Sequence, residues 1–143
     1  MTPTAHLNEL HYTYHREHYP GVPAHAIPKP QYKLNTTNGM TRAIMDFIKF
    51  NGGYAERINV MGRKIKAKSG KEIYIPTSGA RGSADISAVI RGRAVKIEVK
   101  NLHTRDRMHA DQQTYAERVR SAGALYFVAH TFDEFYNWYL ETF

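Results

Sequence analysis

Across residues 94–100 apolar and charged side chains alternate without a break. On an extended strand Val95, Ile97 and Val99 then fall on one side, and Lys96, Glu98 and Lys100 on the other. A side that is wholly apolar has to be buried, so this strand is interior to a sheet. Its other side holds two lysines and a glutamate at fixed spacing. Just before it, residues 84–90 read as a second strand, and Arg91-Gly92-Arg93 reads as a tight turn joining the two into a hairpin. Counting outward from that turn sets Asp85 roughly opposite residues 98–99.

The flanking segments supply the rest of an α/β sandwich. Asn38-Gly39-Met40-Thr41 reads as a helix start, Ile44, Phe47, Ile48 and Phe50 as its apolar face, and Asn51-Gly52-Gly53 as its stop. Residues 54–60 alternate as a strand. Residues 62–72 carry Arg63, Lys64, Lys66, Lys68 and Lys71 against the single acid Glu72, with Gly62 and Ser69-Gly70 as turn residues; they read as a basic hairpin or loop. Ile73-Tyr74-Ile75 is a short strand ended by Pro76, and residues 77–83 form a Gly/Ser-rich loop into the 84–90 strand. Beyond the hairpin, residues 110–122 read as a helix capped by Gly123. Residues 124–129 are a continuous apolar run of the kind found in the buried middle of a sheet. Thr131 caps a last helix with Phe132, Phe135, Tyr136 and Tyr139 on its apolar side. The order is α, β, basic hairpin, β, β, α, β, α, with a mixed central sheet.

Residues 1–37 differ in character. They hold five of the six prolines and five of the eight histidines, and their apolar periodicity is poor. They read as an extended N-terminal arm with one short helix near Leu7 to His18, and the compact domain as residues 38–143. His11, His15 and His18 are spaced to share a helical face, an arrangement open to metal but equally ordinary in an exposed segment. Arms rich in Pro and Tyr often wrap a neighbouring subunit, which makes a homodimer an expectation here. The chain has no cysteine, so disulfides and thiolate zinc sites are excluded. No apolar run is long enough to span a bilayer and the N-terminus does not read as a signal peptide, so no membrane partner is expected and the expected location is the cytoplasm of a bacterial or phage-infected cell. The net charge of +7 favours an acidic polymer as partner, nucleic acid being the commonest.

The chemistry concentrates in residues 85–100. Asp85 and Glu98 bring two carboxylates to one place, and like charges repel there unless a cation sits between them. Two hard oxygen donors with the backbone carbonyl of Val99 suit Mg²⁺, which keeps waters and accepts phosphate oxygens. Lys100 shares the face of Glu98, where an ammonium can orient a metal-bound water or neutralise phosphate charge. The alternative is that Asp, Glu and Lys are solvated residues on the outer face of a hairpin. Against it stand the Gly82-Ser83-Ala84 lead-in, which lets another backbone approach closely, and the apolar reverse face. Arg63, Lys64, Lys66, Lys68, Lys71, Arg81 and Lys96 suit phosphate contacts, with Arg105, Arg107, Arg118 and Arg120 adding charge near the following helix. His103 and His109 lie close to the site in sequence, where either could shuttle protons, although exposed loop histidines usually have no such role.

Gly82-Ser83-Ala84-Asp85, twelve residues, then Glu98-Val99-Lys100 resembles the core motif of the PD-(D/E)XK nuclease superfamily. Gln112-Gln113-Thr114-Tyr115, followed by Ala122-Gly123-Ala124 and the apolar strand, resembles its VRR-NUC branch, and the likeness spans roughly residues 38–140. The resemblance implies a restriction-endonuclease-like α-β-β-β-α-β core. It implies Asp85 and Glu98 as ligands of Mg²⁺ or Mn²⁺, Lys100 as the catalytic lysine, and Gln112, or its neighbour Gln113, as the supporting glutamine. The activity implied is metal-dependent cleavage of DNA, often branched or structured. Members of the branch often carry a glutamate on the first core helix, where this chain has only Asp46; Glu56 on the next strand is the other candidate acid. That departure keeps open a second reading, a non-catalytic nucleic-acid-binding protein on a nuclease-like fold.

Overall fold

The computed structural model of the protein describes residues 1–58, 63–75, 80–103 and 107–143. The alternating segment forms the longest strand, β5 (Arg93–Val99), and β4 (Ile86–Ile90) runs antiparallel beside it with Ile86 opposite Ile97 and Ile90 opposite Arg93. Arg91 and Gly92 make the turn, both at positive φ. β1 (Tyr54–Arg57) adds antiparallel to the outer side of β4. β6 (Leu125–Ala129) pairs with β5 in parallel, giving the order β1-β4-β5-β6. A parallel neighbour needs a crossover, and α3 (Ala110–Ser121) provides it.

The apolar run 124–129 is therefore an edge strand and not the middle of the sheet. Its burial comes from helices on both faces: Leu125, Phe127 and Ala129 pack toward one set of helices, and Tyr126 and Val128 lie under α3. An edge strand covered in this way reads in sequence like a central one.

The apolar side of β4 and β5 carries the core. α2 (Thr37–Phe50) buries Met40, Ala43, Ile44, Phe47 and Ile48, one stripe at helical spacing, and Thr36 caps it by accepting the Gly39 N–H at 3.0 Å. α4 (Phe132–Thr142) is capped by Thr131, as its sequence predicts, and packs Phe132, Phe135 and Tyr139 against the same face. Phe47 is the hub, meeting the rings of Phe132, Phe135, Tyr136 and Tyr139 edge-on at 5.1–6.0 Å.

Residues 1–37, expected as an extended arm with one short helix near Leu7 to His18, carry a longer helix than that. Pro3–His18 form a 16-residue helix, α1, with Thr2 as N-cap and Pro3 in the first turn. It packs on α2 and α4 of its own chain, with Leu7 fully buried and the His6 imidazole hydrogen-bonded to the Tyr136 hydroxyl at 2.9 Å. Histidine and tyrosine hid this face, because each contributes an apolar ring while counting as polar in a hydropathy pattern. The homodimer expectation rested on a free arm, and α1 instead serves its own core. His11, His15 and His18 spend ring nitrogens on the carbonyls of Pro28, His11 and Tyr14, and their rings stack among Tyr14, Tyr19 and Phe50, so they are packing residues. No helix among the described residues is long and apolar enough to cross a membrane.

The basic segment is a two-stranded ribbon, β2 (Arg63–Lys66) and β3 (Glu72–Ile75), separate from the main sheet. In the chain it follows β1, whose end is tied to the site by the Ile58 N–H bonding the Asp85 carbonyl at 2.8 Å.

If α1 belongs to the core, Leu7→Ala should lower the unfolding free energy by about 2–5 kcal/mol, the usual range for a buried leucine. Chemical denaturation of this variant beside the exposed control Glu9→Ala measures it; a free arm would leave both unchanged.

Candidate active site

Strand parity sets the site. With Val95, Ile97 and Val99 in the core, Lys96, Glu98 and Lys100 must face the other way, where α3 covers the β5–β6 half of the sheet. The charged side of β5 is thus buried too. Glu98 is 3% exposed and Lys100 5%. The two are ion-paired, Lys100 Nζ to Glu98 Oε1 at 3.4 Å. The reading of these residues as a solvated outer face is excluded by that burial.

Asp85 lies just ahead of β4, on the same face. Its Oδ2 accepts the Val99 N–H at 2.8 Å, which locks the carboxylate against the β5 backbone next to Glu98. Gln112 closes the group from above. Its Oε1 accepts the His109 N–H at 2.9 Å at the first turn of α3, and its Nε2 donates to Glu98 Oε1 at 2.8 Å. A backbone donor on one side fixes which way the amide faces, so the amino end must meet the carboxylate. Of the two adjacent glutamines, Gln112 reaches Glu98, whereas Gln113 is exposed.

Gly82 is what allows α3 to sit this low. A side chain there would put its Cβ 2.3 Å from the Asp111 carbonyl oxygen and 2.7 Å from the Gln112 nitrogen, and its φ is +71°. No other residue type satisfies both conditions. The close backbone approach expected from Gly82-Ser83-Ala84 is thus the seat of the helix that carries Gln112.

The electrostatics of the pair are unfavourable as it stands. Burial first, and then the Asp85 charge, push the Glu98 carboxyl from 4.5 up to about 7, against the opposing pull of Lys100. Glu98 Oε2 is buried and has no hydrogen-bond partner among the described residues. An orphaned carboxylate oxygen beside a second carboxylate is a donor set suited to a hard divalent cation. Among the described residues no cluster of three or more His, Cys, Asp or Glu exists, so such an ion would rest on Asp85, Glu98 and uncharged oxygens.

The two further acids separate. Asp46 stands on α2, on the opposite side of the sheet, where it accepts the Tyr32 hydroxyl at 2.9 Å and pairs with Arg42. It is not brought to Asp85 and Glu98, because helical spacing turns it toward the α1 side. Glu56 is on the site face, opposite Ser87 in the β1–β4 ladder and so a diagonal neighbour of Asp85. It is exposed.

The cationic residues are spread wider. Lys96 is half-buried and donates to the Ser87 hydroxyl at 2.6 Å. Arg81 is exposed and pairs with Asp111 at 3.2 Å. Lys64, Lys66, Lys68 and Lys71 are exposed on the ribbon, Lys66 opposite Glu72; the Arg63 side chain and Arg105 lie outside the described residues. His103 and His109 are exposed, with no contact between their rings and the carboxylate pair among the described bonds.

Tyr126 is the residue that the sequence reading passed over. It is 8% exposed, its hydroxyl lacks a partner, and it stands opposite Lys96 on the site face of β6. Burial raises its pKa, and the charges of Glu98 and Asp85 raise it further. Its position in a run read as wholly apolar concealed it; alternation across β6 would have placed it beside the charged side of β5.

Among solved structures the chain is similar to one described as a VRR_NUC domain, with a TM-score of 0.50 and 19% identity over 75% of this chain and 96% of that one. No family model matches the sequence, and no curated protein does. The chain thus shares the fold of that VRR_NUC domain, and the α-β-β-β-α-β core with a mixed central sheet expected from sequence is present.

A carboxyl raised from 4.5 to about 7 binds its proton more tightly folded than unfolded, so it subtracts stability as pH rises through that window and no further above it. In the absence of divalent cations, the unfolding free energy of the wild type should fall relative to that of Glu98→Gln between pH 4.5 and about 7 and run parallel above. Denaturant titrations across pH give the difference curve; a flat curve would mean that Glu98 ionises normally.

Proposed function

We propose that this protein is a metal-dependent deoxyribonuclease that hydrolyses phosphodiester bonds, acting as an endonuclease on branched or otherwise structured DNA. The observation that carries the reading is the pairing of half-buried Asp85 with buried Glu98, one of whose carboxylate oxygens has no partner among the described residues, flanked by Lys100 and Gln112 on a VRR-NUC-like fold. A buried like-charge pair costs stability, and such pairs cluster where a ligand offsets the cost.

In this reading Asp85, Glu98 and the Val99 carbonyl hold Mg²⁺ or Mn²⁺. When bound, the ion lowers the pKa of its water and screens the charge that gathers on the phosphate. The side chains do the rest. The Val99 N–H fixes Asp85, and Gln112 fixes Glu98 Oε1, so neither carboxylate has to be ordered when substrate arrives. Lys100, held against Glu98, places a positive charge beside the phosphate, where it is strongest because α3 keeps water out. Glu56, exposed on the same face one strand away from Asp85, is the acid proposed to assist the site. Arg63, Lys64, Lys66, Lys68, Lys71, Arg81 and Lys96 are the proposed phosphate contacts. The Arg81–Asp111 pair is exposed and weak, so a phosphate can replace Asp111 as partner.

The test is cleavage of labelled duplex, single-stranded, flap and four-way-junction DNA with Mg²⁺ or Mn²⁺. Wild type should cut, and Glu98→Ala and Lys100→Ala should each lower the rate by about a hundredfold or more, the scale of losing one preorganised electrostatic group. Tight DNA binding with no cleavage in either metal, unchanged by both substitutions, would establish the non-catalytic binding protein instead.

A further inference from the structure

One flank of α3 and the turn at residues 80–83 line an open cleft of about 490 Å³, of which the catalytic reading uses only Arg81. Arg81 stands on the turn, and Asp111, Thr114, Tyr115, Arg118 and Val119 on the helix. The cavity shares its walls with the site. The turn leads directly into Asp85, and the same helix carries Gln112 toward Glu98 about a quarter-turn away from Asp111 and Tyr115. Tyr115 joins the two spaces: burial, and to a lesser degree the Glu98 charge, raise its hydroxyl pKa, while hydrogen bonding by the Ala84 backbone and Ser83 acts the other way.

We propose that this cavity is a subsite for a single unpaired nucleotide next to the scissile phosphate, with the base in the cavity and its phosphate between Arg81 and Arg118. The inference rests on the nuclease reading of the neighbouring site. The lining is the argument. Its walls are mainly apolar, from Tyr115, Val119 and the methyls of Ala80 and Ala122, whereas its rim carries two guanidiniums, one of them in an exposed pair with Asp111 that a phosphate can replace. A site for phosphate alone has no use for an apolar floor, and an apolar peptide has no use for a cationic rim. A nucleotide has both chemistries, and every base offers a face to an aromatic ring. The volume is within the range of small-molecule sites. A paired base cannot enter without leaving its stack, so the subsite selects strands already unpaired at that position, such as those at flaps, junctions and single-stranded ends.

The probe is a short single-stranded DNA with one 2-aminopurine, whose emission reports unstacking and capture, mixed with the protein in Ca²⁺. The variant Thr114→Leu/Ala122→Leu fills the cavity with aliphatic bulk at two exposed positions, and its melting temperature, read alongside, confirms the fold. Wild type should change the emission and the variant should not. In Mg²⁺ or Mn²⁺, wild type should cut DNA carrying an unpaired nucleotide at least about fivefold faster than the same sequence fully paired, the low end of one base–aromatic stack. In the variant that ratio should collapse toward one. An emission change that survives in the variant, or bound DNA with no emission change in wild type, overturns the subsite. Cleavage without the emission response removes the subsite and leaves the nuclease; the emission response without cleavage removes the nuclease and leaves the subsite.

Discussion

The structure turns on a carboxylate held where a carboxylate is costly. Glu98 is 3% exposed, next to Asp85 and beneath a helix. Moving an ion out of water costs several kcal/mol even after the protein relaxes, and a second carboxylate adds to that. Lys100 and Gln112 offset part of the cost through Oε1, and no described residue hydrogen-bonds Oε2. The fold holds a site that is electrostatically incomplete on its own, and that incompleteness is the ground on which a cation is proposed to bind there.

Much of the remaining architecture reads as the means of keeping that arrangement in place. One strand, β5, does two jobs with its two sides: the apolar side anchors three helices, and the polar side is offered to the fourth. The parallel pairing with β6 obliges the chain to cross the sheet, and the crossing helix is the lid. Gly82 sets its height, because backbone meets backbone there at a distance that no side chain permits. Gln112 then spans the gap with an amide whose two ends are both used. A glutamate in its place would still reach back to the helix start but would set a third carboxylate against Glu98, and an asparagine would fall short.

How much of this was legible in the sequence follows from which patterns are local. The β4–β5 hairpin, the caps at Thr131 and Gly123, and the convergence of Asp85 with Glu98 all depend on periodicity and turn residues, and these were readable. The pairing of Gln112 with Glu98 was approached through family resemblance and not through spacing, since a contact across a crossover has no local signature. The N-terminal helix was legible only as a short helix near Leu7 to His18, and its packing face was hidden because His6, His11, Tyr14 and His15 pack as rings while scoring as polar. The edge position of β6 was hidden because two covering helices make an edge strand look central. Asp46 was wrongly grouped with the site because a helix residue's face is settled only when its neighbours are known; here Tyr32 and Arg42 claim it on the far side of the sheet.

The most direct test of the account is to locate the cation. Crystals grown or soaked with Mn²⁺ and measured at its absorption edge should give an anomalous peak between the carboxylates of Asp85 and Glu98, within coordination distance of the Val99 carbonyl, and no such peak in Glu98→Ala. A peak at another place on the surface with none at the pair, or a pair that stays empty at saturating Mn²⁺, would contradict the claim that this buried charge exists to hold a metal.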